Sequence, residues 1–298
     1  MGQQLNPDRP LVSVITPFYN GAEWLRQAIK GVIDQSYINW ELILVDDGSD
    51  HEASAAAKLF SEQYPGKIVY VEHEGHQNKG VTASRNLGIA HSNGELIAFL
   101  DSDDYWLPGK LENQVRLMSI HHGVSMLCEA SLYWSDWENP LATNIMVYVG
   151  ADQNKTYEPP QLIYTLYPLN KGAAPCPSGI IVTRESLLRL KGFEESFVGA
   201  NQVYEDQAFL CKYYLNEKVY ISDLGNNYYR QRSGSLMESI TKKQQYARVR
   251  KYFLEWLEKY LHNNSIHDKK INRLIRFSKT EINHPVLYKI MKKLMSFF

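Results

Sequence analysis

The feature that most constrains the fold of this chain is the regular alternation of two patterns in its first hundred residues. Short apolar runs, rich in β-branched residues, occupy residues 11–16, 41–45, 68–71 and 95–100. Stretches of helical length and composition lie between them, at 22–35, 52–64 and 80–92. Strands that alternate with helices of this length are typical of βαβ units, in which helices cover both faces of a parallel sheet. The sequence therefore predicts an α/β fold with a mostly parallel, Rossmann-like sheet flanked by helices.

Polar residues follow three of the four predicted strands. The first ends in TPFYN, the second in DDGS and the fourth in DSDD. Open α/β sheets bind their ligands outside the carboxyl ends of the strands, so these segments are expected to meet in one crevice. Clustered carboxylates repel each other, and packing gives no reason to collect them there. A bound cation would offset that repulsion.

The pair Asp101 and Asp103 is the most specific of these segments, because it directly follows the apolar run LIAFL. Two carboxylates at this spacing form a compact site of hard oxygen atoms. Such a site suits Mg²⁺ or Mn²⁺ when a diphosphate supplies further ligands. The alternative is a polar turn in which Asp103 or Asp104 caps the helix that follows.

Three further positions carry polar groups with more than one interpretation. Asp47, which precedes Gly48, could accept a hydrogen bond from a ribose hydroxyl or a base, or could bond its own backbone in a tight turn. Arg85 could bind clustered carboxylates, a phosphate or a base oxygen, or form a surface ion pair. The pair Glu205 and Asp206 opens a predicted helix, where it would favour the helix dipole or supply a general base.

The composition limits the cellular setting and the partners. The chain has 32 Lys and Arg against 33 Asp and Glu, which predicts no general attraction to nucleic acid. Cys128, Cys176 and Cys211 form no C-x-x-C pair, so we expect small core thiols and neither a zinc site nor a disulfide framework. The first ten residues lack the apolar core of a secretion signal. A cytoplasmic protein is the prediction.

The charge is unevenly distributed along the chain. Residues 241–298 contain 14 Lys and Arg against 4 Asp and Glu. On a helical wheel, the segment 286–298 places its apolar residues on one face and three lysines on the other. This pattern predicts a helix in a membrane interface, and the alternative is a helix that packs on the domain. The cations are Lys289, Lys292 and Lys293, with Lys269, Lys270, Arg273 and Arg276 upstream.

Five motifs occur in order between residues 11 and 230: VSVITPFYNGAEWL, ELILVDDGSD, NKGVTASRNLGIA, GELIAFLDSDD and YED. Together they resemble the family 2 glycosyltransferases, inverting enzymes with the GT-A fold. The resemblance implies a metal-dependent hexosyltransferase that moves a sugar from a nucleoside diphosphate sugar, most often UDP-linked, to a hydroxyl acceptor. It also implies a catalytic domain over residues 1–235, which leaves residues 236–298 as a helical, basic C-terminal extension.

The resemblance assigns the donor nucleotide and its Mn²⁺ or Mg²⁺ ion to residues at the strand ends: Pro17, Tyr19, Asp47, Arg85, Asp101, Ser102 and Asp103. Within this set, Asp47 and Arg85 would contact the base. Asp101 would lie near the ribose or a metal-bound water, and Asp103 would ligate the cation. Asp206 matches the catalytic base of the family, and Glu205 would face the acceptor or the donor sugar.

The chain departs from the family pattern at Arg232, which stands where many members have a histidine that completes the metal site. Arginine cannot ligate a cation, but Arg230 or Arg232 could neutralise the leaving diphosphate. The Q-x-x-R-W motif of processive synthases is absent, which predicts the addition of a single sugar. The predicted acceptor is a saccharide or lipid-linked saccharide, in cell-surface polysaccharide or glycolipid assembly. The alternatives are a sugar-phosphate nucleotidylyltransferase and an inactive binding or scaffold subunit.

Overall fold

The structure, a computed structural model, describes residues 9–137, 139–232, 239–241 and 245–284. Its strands are β1 (Val12–Phe18), β2 (Trp40–Asp46), β3 (Ile68–Glu72), β4 (Leu96–Phe99), β5 (Tyr105–Trp106), β6 (Met126–Cys128), β7 (Ser131–Trp134), β8 (Ile145–Val147), β9 (Lys155–Tyr157), β10 (Ile180–Thr183), β11 (Val219–Ile221) and β12 (Asn227–Arg230). Its α-helices are α1 (Ala22–Ile33), α2 (His51–Gln63), α3 (Val81–His91), α4 (Lys110–Ile120), α5 (Arg184–Arg189), α6 (Glu205–Asn216), α7 (Tyr246–Asn263) and α8 (Lys269–Asn283). Short 3-10 helices occupy Glu74–His76, Gln161–Tyr164, Pro177–Gly179 and Gly199–Tyr204.

The main sheet has eight strands in the order β3-β2-β1-β4-β10-β6-β11-β9. The four strands predicted from the alternating pattern are β1 to β4, and they pair in parallel. Strand β10 lies between β4 and β6 and is antiparallel to both. At the edge, β9 is antiparallel to β11. The prediction of a mostly parallel sheet flanked by helices is therefore confirmed.

Both faces of this sheet are buried, and the alternation of side chains along each strand explains how. Val12 and Val14 of β1 belong to one core cluster, whereas Ile15 belongs to the other. Successive side chains of a strand point to opposite faces, so an unbroken apolar strand contributes to two cores. Buried residues of α1, α2 and α4 fill the first core, and those of α3, α5 and α6 fill the second.

The helices α7 and α8 pack onto the second core. The buried face of α7 includes Phe253, whose ring stacks on Tyr204 with the centroids 5.1 Å apart. The hydroxyls of Tyr167, Tyr204 and Tyr246 form a cluster with oxygen separations of 2.5 to 3.2 Å. These contacts join α7 to the residue that precedes α6. The boundary at residue 235 stays a prediction, and the segment 286–298 lies outside the described residues.

A second sheet, which the sequence did not indicate, stands beside the first. Its strand order is β5-β12-β7-β8, and β12 pairs in parallel with β7. The register aligns Tyr229 with Tyr133, so these two side chains share one face of the sheet. Within the described part of the chain, no helix is both long and apolar enough to cross a membrane.

A buried ion-pair network joins three elements at the carboxyl edge of the main sheet. Arg85 of α3 is only 2% exposed, and its Nη2 lies 2.6 Å from Oδ1 of Asp101, just after β4. Its Nη1 contacts Oε1 of Glu205, the first residue of α6. Burial alone would lower the pKa of Arg85, but the charges of Glu205 and Asp101 raise it above its ordinary value. The interpretation of Arg85 as a surface ion pair is therefore wrong.

Replacement of Arg85 tests how much the fold depends on this network. Arg85→Met leaves Glu205 buried without its cation, which typically destabilises a protein by about 3–5 kcal/mol. We expect the double variant Arg85→Met/Glu205→Gln to recover most of that loss, because the neutral amide removes the unpaired charge. Urea unfolding at pH 7 measures the free energy of unfolding of both variants. Equal stability of the single variant and the wild-type protein would contradict the interpretation.

Candidate active site

The buried side chain of Asp104 fixes the turn after β4 through two hydrogen bonds. Asp104 is 1% exposed; its Oδ2 accepts a hydrogen bond from Ser178 Oγ (2.6 Å), and its Oδ1 accepts one from the Arg230 backbone N–H (3.0 Å). Burial raises the pKa of Asp104 well above its ordinary value, and the charges of Asp103 and Asp101 raise it further. Gly109 precedes α4, and no side chain among the described residues caps that helix. The alternative role of Asp103 or Asp104 as a helix cap is therefore wrong.

Asp101 and Asp103 occupy the open side of the same turn, and each side chain is 24% exposed. Arg232 Nε donates to Asp103 Oδ2 over 2.7 Å, and Arg230 Nε donates to the Asp103 backbone oxygen over 2.7 Å. Two partly exposed carboxylates beside a strand end are donors that a hard divalent cation accepts. These residues therefore fit a cation that takes few ligands from the protein. Ser102 lies between them in the same turn.

The second pair of carboxylates opens α6. Asp206 is half-buried, and its Oδ1 accepts a hydrogen bond from the Gln207 backbone N–H over 2.7 Å. Burial raises the pKa of Asp206 to about 6, although the hydrogen bonds from Gln207 oppose this shift. Burial also raises the pKa of Glu205, whereas the Arg85 guanidinium lowers it. Asp206 thus has the pKa of a carboxylate that can take up a proton near neutral pH.

On the other side of the sheet edge, Asp47 fixes the beginning of α3. Its carboxylate accepts hydrogen bonds from the backbone N–H groups of Lys79 (2.7 Å) and Gly80 (3.0 Å), and His73 Nε2 lies 3.6 Å away. Gly80 directly precedes α3, the helix that carries Arg85. In this structure Asp47 therefore positions the helix of another predicted site residue.

Asp46, the neighbour of Asp47, belongs to a separate polar network. Its Oδ1 accepts from the Ser49 backbone N–H (2.7 Å), and its Oδ2 lies 2.9 Å from the Tyr70 hydroxyl. The same hydroxyl lies 2.5 Å from Glu72, which bonds to the His76 ring. Asp46, Glu72 and His76 are close enough to hold a metal ion. Because these contacts connect the loops after β2 and β3, we interpret this cluster as a structural link.

The structure brings most of the predicted site residues to one edge of the main sheet. Arg85, Asp101 and Glu205 are in direct contact, and Asp103 and Asp206 belong to the same group of carboxylates. Pro17 is buried inside β1, and Tyr19, just beyond that strand, is 59% exposed. The roles assigned to these residues stay predictions.

Two residues at this edge, Tyr133 and Tyr229, had no assigned function in the sequence. A third, Cys176, belongs to the segment 175–179, which the family resemblance places on the acceptor side. Cys176 is a free, partly exposed thiol, unlike the buried Cys128 and Cys211, so the expectation of three core thiols fails there. Burial raises the pKa of Cys176 to about 12, and the charges of Asp104, Asp206 and Asp101 contribute. The only sequence signal for the two tyrosines was their place in the short runs SLYW and NYYR.

Solved structures with a similar fold support this description of the architecture. The chain superimposes on Staphylococcus aureus TarS (residues 1–349) with a TM-score of 0.64 at 19% identity, covering 92% of this chain and 72% of TarS. A complex of the same protein with UDP-GlcNAc gives a TM-score of 0.55 at 24% identity, covering 76% and 60%. The mannosyltransferase PcManGT from Pyrobaculum calidifontis, in complex with GDP-Man and Mn²⁺, gives 0.55 at 17% identity, covering 95% and 73%.

Sequence relatives match a shorter part of the chain. A putative teichuronic acid biosynthesis glycosyltransferase, TuaG of Bacillus subtilis, is 38% identical over 155 residues, which cover 50% of this chain and 56% of TuaG. The Escherichia coli protein named UDP-Glc:alpha-D-GlcNAc-diphosphoundecaprenol beta-1,3-glucosyltransferase WfgD is 38% identical over 111 residues, covering 37% and 42%. This chain thus spans about half the length of these relatives or less.

The family model described as glycosyl transferase family 2 matches residues 13–189. This range begins in β1 and ends with α5, so it includes Asp47, Arg85, Asp101 and Asp103. The matched range is more than half of the chain, and the fold of its structural neighbours extends over nearly all of it. The chain belongs to glycosyl transferase family 2.

Proposed function

We propose that this protein is an inverting glycosyltransferase that transfers one sugar from a UDP-linked donor to a hydroxyl group of an acceptor saccharide. The observation that carries the proposal is the meeting of two acidic pairs at the carboxyl edge of the sheet. Asp101 and Asp103 come from the end of β4, Asp206 and Glu205 open α6, and Arg85 connects the two pairs. Such edges are the ligand-binding crevices of open α/β sheets.

The preference for a UDP-linked donor is supported by the relatives. TarS was solved with UDP-GlcNAc, and the name of WfgD specifies UDP-glucose. In this chain, Pro17 and Tyr19 at the end of β1, with Asp47 after β2, would line the base pocket. The hydrogen bonds of Asp47 to Lys79 and Gly80 would then hold one wall of that pocket in place.

Asp103 and Asp101 would hold Mn²⁺ or Mg²⁺, and the Mn²⁺ in PcManGT supports a divalent ion. When bound, the cation neutralises charge on the diphosphate as the sugar departs. Arg232, which contacts Asp103, would add a second positive charge on the same side. Ser102, between the two carboxylates, would also contact the donor.

Asp206 would act as the general base toward the attacking acceptor hydroxyl. Glu205 already contacts Arg85, so Asp206 is the carboxylate of this pair that is available to take a proton. With a pKa of about 6, Asp206 is still mostly ionised at neutral pH, and the raised pKa makes it a stronger base than an exposed aspartate. Attack from the face opposite the leaving diphosphate inverts the anomeric carbon in one displacement.

The acceptor that we propose is a saccharide or a lipid-linked saccharide of cell-surface polysaccharide or glycolipid assembly. TuaG is named for teichuronic acid biosynthesis, and the acceptor in the name of WfgD is a lipid diphosphate sugar. Membership of family 2 disfavours a nucleotidylyltransferase. The carboxylates Asp103 and Asp206 are both in place, which disfavours an inactive scaffold.

Replacing the proposed base should reduce sugar transfer without weakening nucleotide binding. Asp206→Asn cannot accept the proton, so we expect sugar transfer to fall by about 10²-fold or more. Its affinity for UDP, measured by titration calorimetry with Mn²⁺, should change less than twofold, because Asp206 is not assigned to the nucleotide. A variant that transfers sugar at nearly the wild-type rate would exclude Asp206 as the base.

The pH profile tests the same residue without a mutation. Burial raises the pKa of Asp206 to about 6, and only the ionised carboxylate is a base. The rate should therefore rise with pH up to about 6 and level off above it. We would measure kcat/KM for release of UDP from UDP-sugar between pH 4.5 and 8. A rate that stays constant down to pH 4.5 would show that burial does not control this carboxylate.

The cation site predicts a further loss of function. Asp103→Asn removes the charged ligand, so UDP affinity should no longer increase when Mn²⁺ is added. Titration calorimetry of UDP with Mn²⁺ or with EDTA measures this difference. Asp152→Asn is the control, since this exposed carboxylate pairs with Lys155 at the surface. An unchanged metal effect in Asp103→Asn would disprove the assignment.

We also propose contact with the anionic cytoplasmic leaflet through α8. Three exposed cations, Lys269, Arg273 and Arg276, follow one another at helical spacing, whereas Ile271 and Ile275 are buried on the opposite side. Each such cation near an anionic surface contributes about 1 kcal/mol at low salt. Peripheral binding would bring the enzyme to lipid-linked acceptors.

Co-sedimentation with phosphatidylglycerol vesicles at low salt tests the contact. Replacing the three α8 cations by glutamine should weaken binding by about 100-fold. The matched control makes the same three charge changes on α7 and should bind as the wild type does. Equal binding by both variants would argue against α8. The control substitutions are Arg248→Gln, Lys251→Gln and Lys259→Gln, all at exposed positions.

A further inference from the structure

The second sheet presents two aromatic side chains on one face. Tyr133 of β7 and Tyr229 of β12 lie directly opposite each other in the parallel register. Their ring centroids are 5.1 Å apart, and the ring planes are inclined by 47°. Both residues are partly exposed. We call these two residues the tyrosine wall.

The tyrosine wall faces the carboxylates of the candidate active site. Ser131 and Asn227, which share this face of the sheet with the two tyrosines, lie beside Gly179 in the segment before β10. In the same segment Ser178 donates a hydrogen bond to Asp104 and accepts one from the Asp101 backbone N–H. Burial raises the pKa of Tyr133, and the negative charges of Asp206 and Asp104 raise it further. The charges of Asp104, Asp101 and Asp103 act on Tyr229 in the same way. The wall therefore borders both acidic pairs.

On the other face of the same strands, the aromatic side chains pack against one another. Tyr228, the neighbour of Tyr229, lies with its ring centroid 5.6 Å from Trp134 and 6.3 Å from Tyr105. The guanidinium of Arg230 covers the Trp134 ring at 4.4 Å. Alternate residues of β12 thus have different environments: Tyr228 packs among aromatic rings, whereas Tyr229 faces the carboxylates.

We propose that the tyrosine wall is the acceptor subsite, where Tyr133 and Tyr229 bind one pyranose ring of a saccharide so that its nucleophilic hydroxyl faces Asp206. This inference rests on the proposed function and deepens it. An aromatic ring offers a flat apolar surface to the C–H face of a sugar, and a phenol hydroxyl adds a directional hydrogen bond. The base of the donor nucleotide is assigned to the ends of β1 and β2, so it does not compete for this wall.

The experiment measures sugar binding and nucleotide binding separately. Saturation-transfer NMR with UDP and Mn²⁺ present would use the methyl glycosides of glucose, galactose, mannose and N-acetylglucosamine as probes. We expect at least one glycoside to bind the wild-type protein, and Tyr133→Ala and Tyr229→Ala each to reduce that signal by about tenfold. Tyr133→Phe and Tyr229→Phe, which keep the ring, should lose less. Tyr228→Phe, on the packed face of β12, is the matched control and should retain the signal.

The remaining outcomes contradict either the inference or the proposed function. If no glycoside binds the wild-type protein, or if binding survives in both alanine variants, the acceptor subsite lies elsewhere and the inference is wrong. If the alanine variants lose UDP affinity in titration calorimetry while Tyr228→Phe keeps it, the wall belongs to the donor, which also overturns the inference. Failure of the wild-type protein to bind UDP at all would instead contradict the proposed function.

Discussion

The buried guanidinium of Arg85 is the interaction on which the rest of the site depends. Asp101, Asp103, Asp104, Glu205 and Asp206 converge on a small region, and without a cation their mutual repulsion would oppose folding. Arg85 contacts one carboxylate from each acidic pair, so a single side chain joins α3, the end of β4 and the start of α6. Its buried position makes this attraction stronger than a surface ion pair would be.

The ion pairs of Arg85 also place two adjacent carboxylates in different environments. Glu205 and Asp206 are neighbours in the sequence, yet Glu205 is buried and contacts the Arg85 guanidinium, whereas Asp206 is half-buried and bonds to Gln207. Their environments, more than their chemical types, therefore suggest different roles. A similar division separates Asp104, which is buried and holds the turn, from Asp103, which faces solvent.

The local parts of this structure were predictable from the sequence, and the long-range parts were not. Apolar runs and helical stretches follow from neighbouring residues, so β1 to β4 and α1 to α3 lie within a few residues of their predicted positions. Strands of two to four residues, such as β5 and β12, are too short to show a periodic pattern. The pairing of β12 with β7 joins residues far apart in the chain. No sequence pattern therefore predicted the second sheet.

The same limit applies to the site residues. The strand ends identified Asp101, Asp103 and Asp47 as candidates, because a carboxylate after a buried strand is visible in the sequence. Their partners could not be read in that way. Asp47 bonds to the backbone of Lys79 and Gly80, and Asp101 to a guanidinium 16 positions earlier. Backbone N–H groups carry no sequence signature, so only the fold shows which ones a carboxylate meets.

The attachment of the second sheet to the first has a consequence for how such an enzyme diversifies. Asp104 joins the two sheets, since it follows β4 of the main sheet and accepts hydrogen bonds from Ser178 and from Arg230 of β12. The side chains of Tyr133 in β7 and Tyr229 in β12 can be replaced without disturbing these hydrogen bonds, because neighbouring residues of a strand point to opposite faces. On the proposed acceptor subsite, descendants of one ancestral gene would acquire new acceptors by changing a few positions on one small sheet, while the residues proposed to bind the donor remain as they were.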